Sequence, residues 1–561
     1  MKNKKIWNKC LALALSTAMI CSSGSVAFAS EFTSGDDIAT EQTTPENEDG
    51  GVSTEKVVPQ TEEPAAEFDA PEEIEEFDAG TPEVEAFSAE DGVAAMTDEN
   101  ANSLEVKEIK SANDLQNLFA SSDSVSIKLA NDIYGAQVNV PANKTLVIDL
   151  NGHTLTNATD KEAVAGGANH TIINNGTLTI TDNSGSIGAI DNITHGKAPL
   201  YNAVGGTVTI LKGYFIRSKE AGISADNSGD NSYYYIDNAG TMTIGDGNTT
   251  NEDIHVGSDG HFSSLVHNGW YDGNKNSSGS VATLTINTGS FTGGLNTIKN
   301  DDYGKLIINS GEFINATQYC VQNWNEAQIN GGIFESTMQS AVWNGYNNET
   351  MDKGIIEIND GYFKAPSDKT VVYRDNLNSG SFKINGGTFS NSKICNDSKY
   401  TVVENSDGTY GIAKVAQVGV ESYSTLADAI IGSQDGDTVT LLSDVNLGAE
   451  SLNINKSITL DLNGKTLSGN GESVVNINES VTIVDSAAGG SIQNINAEEG
   501  KSVNLLTGTL YLENGTLGSK SYPARGLYVA PGTSFIMKGG NVLSSALAID
   551  ICGHQTSDTS I

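Results

Sequence analysis

The chain has 561 residues, with 71 Asp and Glu against 31 Lys and Arg, a formal net charge of −40. That balance argues against nucleic acid and anionic lipid as partners, because both demand basic surface to displace counterions, and the only arginines are Arg217, Arg374 and Arg525. The cysteines Cys10, Cys21, Cys320, Cys395 and Cys552 carry no CxxC or Cys/His spacing, so neither a metal site nor a disulfide framework is expected.

Taken in chain order, residues 1–29 read as a secretory signal. Lys2, Lys4, Lys5 and Lys9 precede an apolar run from Leu11 to Ile20, and Ala27-Phe28-Ala29 supplies a small-x-small cleavage site. The apolar run is about half the roughly 20 residues a transmembrane helix needs, so a cleaved signal is expected, with no membrane insertion afterwards and a secreted or cell-surface mature protein. Residues 30–102 form an acidic spacer. Glu31 to Asn100 holds 23 Asp and Glu against the single Lys56, and five of the chain's ten prolines. Such a stretch buries too little apolar area to fold alone and is expected to be a solvated, disordered linker.

From residue 103 a short phrase recurs: apolar, any, apolar, polar, any, Gly, any, aromatic. It reads Val208-Thr-Ile-Leu-Lys-Gly213-Tyr-Phe215, Leu284-Thr-Ile-Asn-Thr-Gly289-Ser-Phe291 and Leu306-Ile-Ile-Asn-Ser-Gly311-Glu-Phe313. It returns as Ala327-Gln-Ile-Asn-Gly-Gly332-Ile-Phe334, Ile356-Glu-Ile-Asn-Asp-Gly361-Tyr-Phe363 and Phe382-Lys-Ile-Asn-Gly-Gly387-Thr-Phe389. Alternation places the apolar residues on one strand face, and Asn-x-Gly supplies positive φ for a sharp bend into a second short strand. Each phrase is therefore a corner. A coil of about 22 residues has room for three strands and three turns, and equivalent strands of successive coils stack in parallel at roughly 4.8 Å. The steps of 22, 21, 29 and 26 residues from Gly289 onward put the extra residues into outward loops.

Short β segments, Gly/Asn corners and loops of varying length over residues 104–561 resemble the right-handed parallel β-helix, the pectin-lyase-like architecture of secreted proteins, here of a Gram-positive surface protein. Leucine-rich, hexapeptide and calcium-binding Gly-Gly-x-Gly-x-Asp repeats have other phrases, which are absent.

A larger duplication divides the solenoid. Leu129-Ala-Asn-Asp132 and Asp149-Leu-Asn-Gly152-His-Thr-Leu155 return 312 residues later as Leu441-Leu-Ser-Asp444 and Asp461-Leu-Asn-Gly464-Lys-Thr-Leu467, and Thr179-Ile-Thr-Asp182 returns as Thr482-Ile-Val-Asp485. Ahead of each copy lies an amphipathic segment starting at a Ser. They are Ser111 to Ala120, with Leu115, Leu118 and Phe119, and Ser424 to Ile431, with Leu426, Ala429 and Ile430. Each is expected to be a helical N-terminal cap over an otherwise open solenoid end. The expected fold is thus all-β, two tandem right-handed parallel β-helices at 103–412 and 413–561. A strand pair around Tyr400–Gly411 closes the first. The second stops after fewer coils without a sorting signal, so the chain is read as a fragment of a longer protein.

Candidate binding residues follow a second motif: Val266-His-Asn268, Ile298-Lys-Asn300, Val321-Gln-Asn323, Val342-Trp-Asn344 and the degenerate Val372-Tyr-Arg-Asp375. The asparagines are expected to form an internal ladder, each pairing with the next coil's backbone. Aromatic residues gather after them, namely Trp270, Tyr271, Tyr303, Trp324, Trp343, Tyr346 and Tyr373, with Arg374 alongside. Stacked coils would line these up on one side. Exposed rings flanked by amides and carboxylates suit sugar rings, so the ligand class expected is an extracellular glycan or host glycoprotein; the alternative is that the rings pack down as a satellite cluster.

The resemblance also implies a test for polysaccharide-degrading chemistry. A polygalacturonase-type site needs Asn-Thr-Asp, Asp-Asp, Gly-His-Gly and Arg-Ile-Lys in order, and only Asp301-Asp302 matches. A pectate-lyase site needs a paired arginine, and Arg374 stands alone. Asp301 and Asp302 are therefore the weak catalytic candidates for a lyase or glycoside hydrolase acting on uronate polymers. No cofactor is expected. The acidic turns Asp226-Asn-Ser-Gly-Asp230 and Asp246-Gly-Asn-Thr-Thr-Asn-Glu-Asp253 offer calcium-type oxygens but not the EF-hand order, and Asx-rich turns explain them. The expectation carried forward is a non-catalytic adhesin, with the degrading enzyme and a self-associating structural fibre as alternatives.

Overall fold

Alternation and a glycine bend turn each recurrent phrase into two strands at a corner. In Gly304–Ile308, Leu306 and Ile308 are fully buried while Lys305 and Ile307 face outward. Gly311, at φ +128°, turns the chain into Glu312–Asn315, where Phe313 points inward. The chain then reaches Val321–Asn323 before Glu326 starts the next coil beside Lys305. A Cβ on Gly311 would lie 3.1 Å from the Phe313 ring and 3.2 Å from the Gly289 carbonyl, so both space and φ demand glycine here.

The computed structural model describes residues 106–552 apart from 163–166, 168, 195, 219–233, 258–263, 271–279, 346–353, 376–377, 379 and 497–499. The expected signal and spacer lie outside the described residues, as do the turn Asp226–Asp230 and the candidates Tyr271 and Tyr346.

Three strands per coil give three stacked sheets. Sheet A has eleven parallel strands from Val106–Ile109 to Phe382–Ile384. Sheet B runs parallel from Thr154–Thr156 to Thr388–Phe389 and ends in the antiparallel pair Tyr410–Ile412 and Val402–Glu404. Sheet C has nine parallel strands, Val138–Val140 to Val372–Arg374. Between them the side chains of each position stack on their own kind. Phe291, Phe313, Phe334, Phe363 and Phe389 form a continuous ring stack with centroids 4.9, 4.7, 4.8 and 5.3 Å apart. All five are fully buried, each stabilising the interior by about 1.5–3 kcal/mol.

Sheets D, E and F follow, with seven, five and five strands. Sheet D opens with the antiparallel hairpin Ala416–Val418/Glu421–Tyr423 and then runs parallel from Thr438–Leu441 to Ser534–Met537. The apolar interior is divided likewise, one cluster from Ile109 to Ile412 and another from Val415 to Val529. The described chain is all-β, with the long stacked parallel sheets that a β-solenoid builds. Among the described residues no helix is long and apolar enough to cross a membrane.

The two amphipathic segments differ from expectation. Ser111–Ala120 makes only one 3-10 turn, Ala112–Leu115, which Gln116 ends by turning extended at φ −74° and ψ 139°, before Asn117 takes a left-handed φ of +62°. Asp114 anchors that turn by accepting from the amides of Lys110 and Ser111 at 2.8 and 2.9 Å, and Leu115 and Leu118 are buried. The later segment is a true α-helix, Leu426–Gly432, but its N-cap is Thr425, whose Oγ1 accepts from the Asp428 amide at 3.1 Å. Ser424 instead donates to the Asn385 carbonyl at 3.3 Å.

The repeated Asp-Leu-Asn-Gly segments build the same corner. Asp149 accepts from the amides of Asn151 and Asn183, both at 3.0 Å, as Asp461 does from Asn463 and Ser486 at 2.9 and 3.0 Å. Asp182 receives the amides of Gly152 and Gly188 at 2.8 and 2.7 Å; Asp485 receives those of Gly464 and Gly490, both at 2.7 Å. Asn151 and Asn463 each reach back one coil to the carbonyls of Leu129 and Leu441. Burial pushes the Asp182 carboxyl up, but hydrogen bonds from Ser184, Gly152 and Gly188 outweigh it and hold it below the ordinary range.

Candidate binding face on sheet C

Each strand of sheet C is a triplet whose first and third residues point inward. The third is asparagine on seven consecutive strands, at 174, 202, 238, 268, 300, 323 and 344, and all seven are fully buried. Each Nδ2 donates to the Oδ1 of the next at 2.6–2.8 Å. The second amide hydrogen goes to backbone, as from Asn300 to the carbonyls of Gly304 and Glu326 at 3.1 and 2.9 Å. The ladder is thus side chain to side chain as well as to backbone, and it begins earlier than the motif read from sequence, at Ile172-Ile-Asn174, Leu200-Tyr-Asn202 and Ile236-Asp-Asn238. Arg374 stands where the next asparagine would and ends it. Its guanidinium donates to the Asn378 and Gly380 carbonyls and to Asp397 at 3.1, 3.4 and 3.4 Å, over the Phe382 ring. Arg374, a candidate ligand residue, is therefore engaged within the protein.

The middle residues of the triplets face outward in register: Tyr201, Asp237, His267, Lys299, Gln322, Trp343 and Tyr373. In the centre of this row a charged cluster is enclosed. His267 Nδ1 lies 2.7 Å from Asp237 and its Nε2 3.2 Å from Asp301, while Lys299 Nζ lies 3.1 Å from the same Asp301 oxygen. Burial opposes charge on Asp301 and on His267. For Asp301, Lys299 and His267 overcome burial and hold the carboxyl at about 2. For His267, burial lowers the pKa, but bonds to Asp237 and Asp301 outweigh it and raise it above the ordinary imidazole value. The side chains of His267 and Asp301 are each 1 % exposed, and Asp302 is buried beside them. The two catalytic candidates are enclosed carboxylates.

The expected aromatic row is divided. Trp270 and Tyr303 form a half-buried pair, rings stacked at 5.1 Å, where the chain leaves sheet C, with Tyr303 at φ +58°. Trp324 is only 2 % exposed and cannot offer a ring face to a ligand; Lys299 Nζ sits 4.4 Å from its centroid. Trp324 instead packs edge-on beside Trp343 at 6.4 Å. Trp343 stacks on Tyr319 at 5.9 Å and neighbours Tyr373 in register, and these three are half-buried.

Tyr319 was missed by reading only the residues after each asparagine. Its signal lies two positions before the triplet. His170 stacks on Tyr201, Tyr234 on His267 and Tyr319 on Trp343, at 5.1, 4.2 and 5.9 Å. In each case a ring two residues before one triplet covers the middle residue of the next. Burial, with Tyr373 and Asp375 nearby, pushes the Tyr319 phenol up.

Comparison with family models, curated proteins and solved structures yields no match.

The acidic turn Asp246–Asp253 spends its oxygens internally. Asp246 accepts from Asn248 and Thr249, and Asp253 from Thr250 while pairing with Lys212 at 3.2 Å. Among the described residues no group of three His, Cys, Asp or Glu is placed to hold a metal. Cys320 is buried and Cys395 largely so; burial pushes the Cys395 thiol up to about 11 and the Cys320 thiol further.

Proposed function

We propose that this chain is an exported, non-catalytic binding protein of the cell surface, and that it contacts glycans or glycoproteins through Tyr319, Trp343 and Tyr373. Its body in this reading is two right-handed parallel β-helices, 103–412 and 413–561, carried on the acidic spacer. The turn at Ala112–Leu115 and the helix Leu426–Gly432 shield the first coil of each.

One observation carries the proposal: the outward row of sheet C ends in Trp343 and Tyr373, with Tyr319 stacked on Trp343, three partly exposed rings backed by a charged cluster. Lys299 fixes Trp324, Trp324 abuts Trp343, and Trp343 stacks on Tyr319. A platform whose rotamers are locked before binding loses little entropy on taking a sugar ring. The enclosure of Asp301 and Asp302 favours binding over hydrolysis.

The test is a glycan and glycoprotein array probed with the exported chain and its Trp343→Ala/Tyr373→Ala variant. Binding lost in the variant, and kept in Trp270→Ala, is expected. Equal binding by the double variant would sink the site, and release of reducing ends or unsaturated product, abolished by Asp301→Asn, would replace binding with catalysis.

A further inference from the structure

Sheet A carries a different array on its outward face. Four successive strands read Thr177-Leu-Thr179, Thr207-Val-Thr209, Thr241-Met-Thr243 and Thr283-Leu-Thr285. The register aligns them without a slip, Thr177↔Thr207↔Thr241↔Thr283 in one row and Thr179↔Thr209↔Thr243↔Thr285 in the other. On the preceding coil Thr145 and Val147 extend the rows, and before them Ser124 and Ser126. Charge returns at Lys305 and Glu326 on the far side and, on the near side, at Lys128 beyond Ser126.

The array is rigid as well as regular. The residues between the threonines, Leu178, Val208, Met242 and Leu284, are buried and pin each strand. β-Branching restricts threonine χ1, so hydroxyl and methyl positions follow the backbone repeat. That repeat is about 4.8 Å between strands and, at about 3.3 Å rise per residue, between 6 and 7 Å within them. All eight threonines are at least partly exposed. None of their hydroxyls is engaged by another described side chain or carbonyl.

A ligand that exploits this face is itself a two-dimensional lattice of neutral hydrogen-bonding units. Sheet A offers no charge over these four strands for a mineral or polyelectrolyte and no ring on which a sugar would stack. Methyl groups alternating with hydroxyls suit ordered water, in which each hydroxyl donates to one lattice oxygen and accepts from others. We propose that the threonine face of sheet A binds ice, adsorbing to a crystal face whose oxygen spacings fall in the same range. This inference is independent of the aromatic face.

The experiment uses the exported chain in nanolitre osmometry and an ice-recrystallisation assay. Faceted crystals and inhibited recrystallisation are expected. Thr209→Lys/Thr243→Lys, which places two long charged side chains in the middle of the array, is expected to lose both. Thr209→Val/Thr243→Val keeps the packing and tests the hydroxyls without a charge, and circular dichroism checks the fold of each. Growth unaltered by the wild-type protein would overturn the proposal, as would shaping that survives the lysine pair. Co-sedimentation with crystalline cellulose or chitin that the lysine pair abolishes, without ice shaping, would transfer the face to a solid polysaccharide and overturn it equally.

Discussion

Two asparagine ladders run along the first set of sheets, one inside and one outside, and their contrast gives a quantitative test of burial. Inside, Asn300 accepts from Asn268 and donates to Asn323 Oδ1, the Gly304 carbonyl and the Glu326 carbonyl. Outside, at the Ile-Asn-x-Gly corners, Asn330 donates to Asn309 at 2.8 Å and accepts from Asn359 at the same distance. The amide-to-amide bond lengths match; the surroundings differ, and the interior amide also bonds to two backbone carbonyls. Asn300→Ala strands the buried Asn323 Oδ1, takes one donor from the Gly304 carbonyl, which keeps Asn325, and one from the part-buried Glu326 carbonyl, and leaves Asn268 with one fewer partner. At about 1–3 kcal/mol for the stranded group and about 0.5–1 kcal/mol for each other bond lost, the expected loss is roughly 2–4 kcal/mol. Asn330→Ala exposes its former partners to water, and the expected change is within about 0.5 kcal/mol. Urea denaturation reports the total. Hydrogen exchange reports location, since stacked coils open locally, and the amides around Gly304 and Glu326 should lose protection first. Equal losses for the two variants, or a loss under about 1 kcal/mol for Asn300→Ala, would refute the argument that burial is what makes the ladder stabilising.

The charged cluster predicts a two-sided pH profile. Asp301, at about 2 against an ordinary 3.8, stabilises the fold above the latter value, and its contribution of roughly 2–3 kcal/mol is lost as pH falls toward 2. His267, raised above 6.5, stabilises below that value and ceases to as pH rises through its folded pKa; Asp301→Asn should flatten the acid limb in a urea titration across pH. Phe334→Ala, at the middle of the ring stack, is expected to cost about 3–5 kcal/mol and to lower the midpoint of thermal unfolding, whereas Phe334→Leu should recover most of it. Mass-mapped alkylation at neutral pH should label Cys552, which is exposed, and spare Cys320 and Cys395 until the protein is denatured; labelling of Cys320 in the native state would contradict its enclosure.

Much of the architecture is legible in the sequence. Period-two alternation, a glycine five residues after the first apolar position and an aromatic two residues further define a strand, a bend and a strand wherever they occur, because each is a local demand on φ and on facing. The asparagine of each triplet was legible as an interior ladder for the same reason, since an amide at an inward position finds partners only along the stack. Ser111–Ala120 has leucines at helical spacing but stops after one 3-10 turn, since Asn113, Asp114 and Asn117 are residues that hydrogen-bond their own backbone and favour turns over helix interiors.

Sequence alone determined the repeat, the corner chemistry and which residues face the interior. What it left open was decided by tertiary structure: which outward residues are covered and which are free. Trp324 and Trp343 each follow or occupy the same triplet motif, yet one is enclosed over Lys299 and the other is only half-buried, stacked on Tyr319. His267 and Asp301 are polar residues at or just after an outward position, yet they are sealed. Facing is set within one strand by the backbone, whereas covering depends on rings and loops contributed by neighbouring coils, and no local pattern in a single coil encodes those.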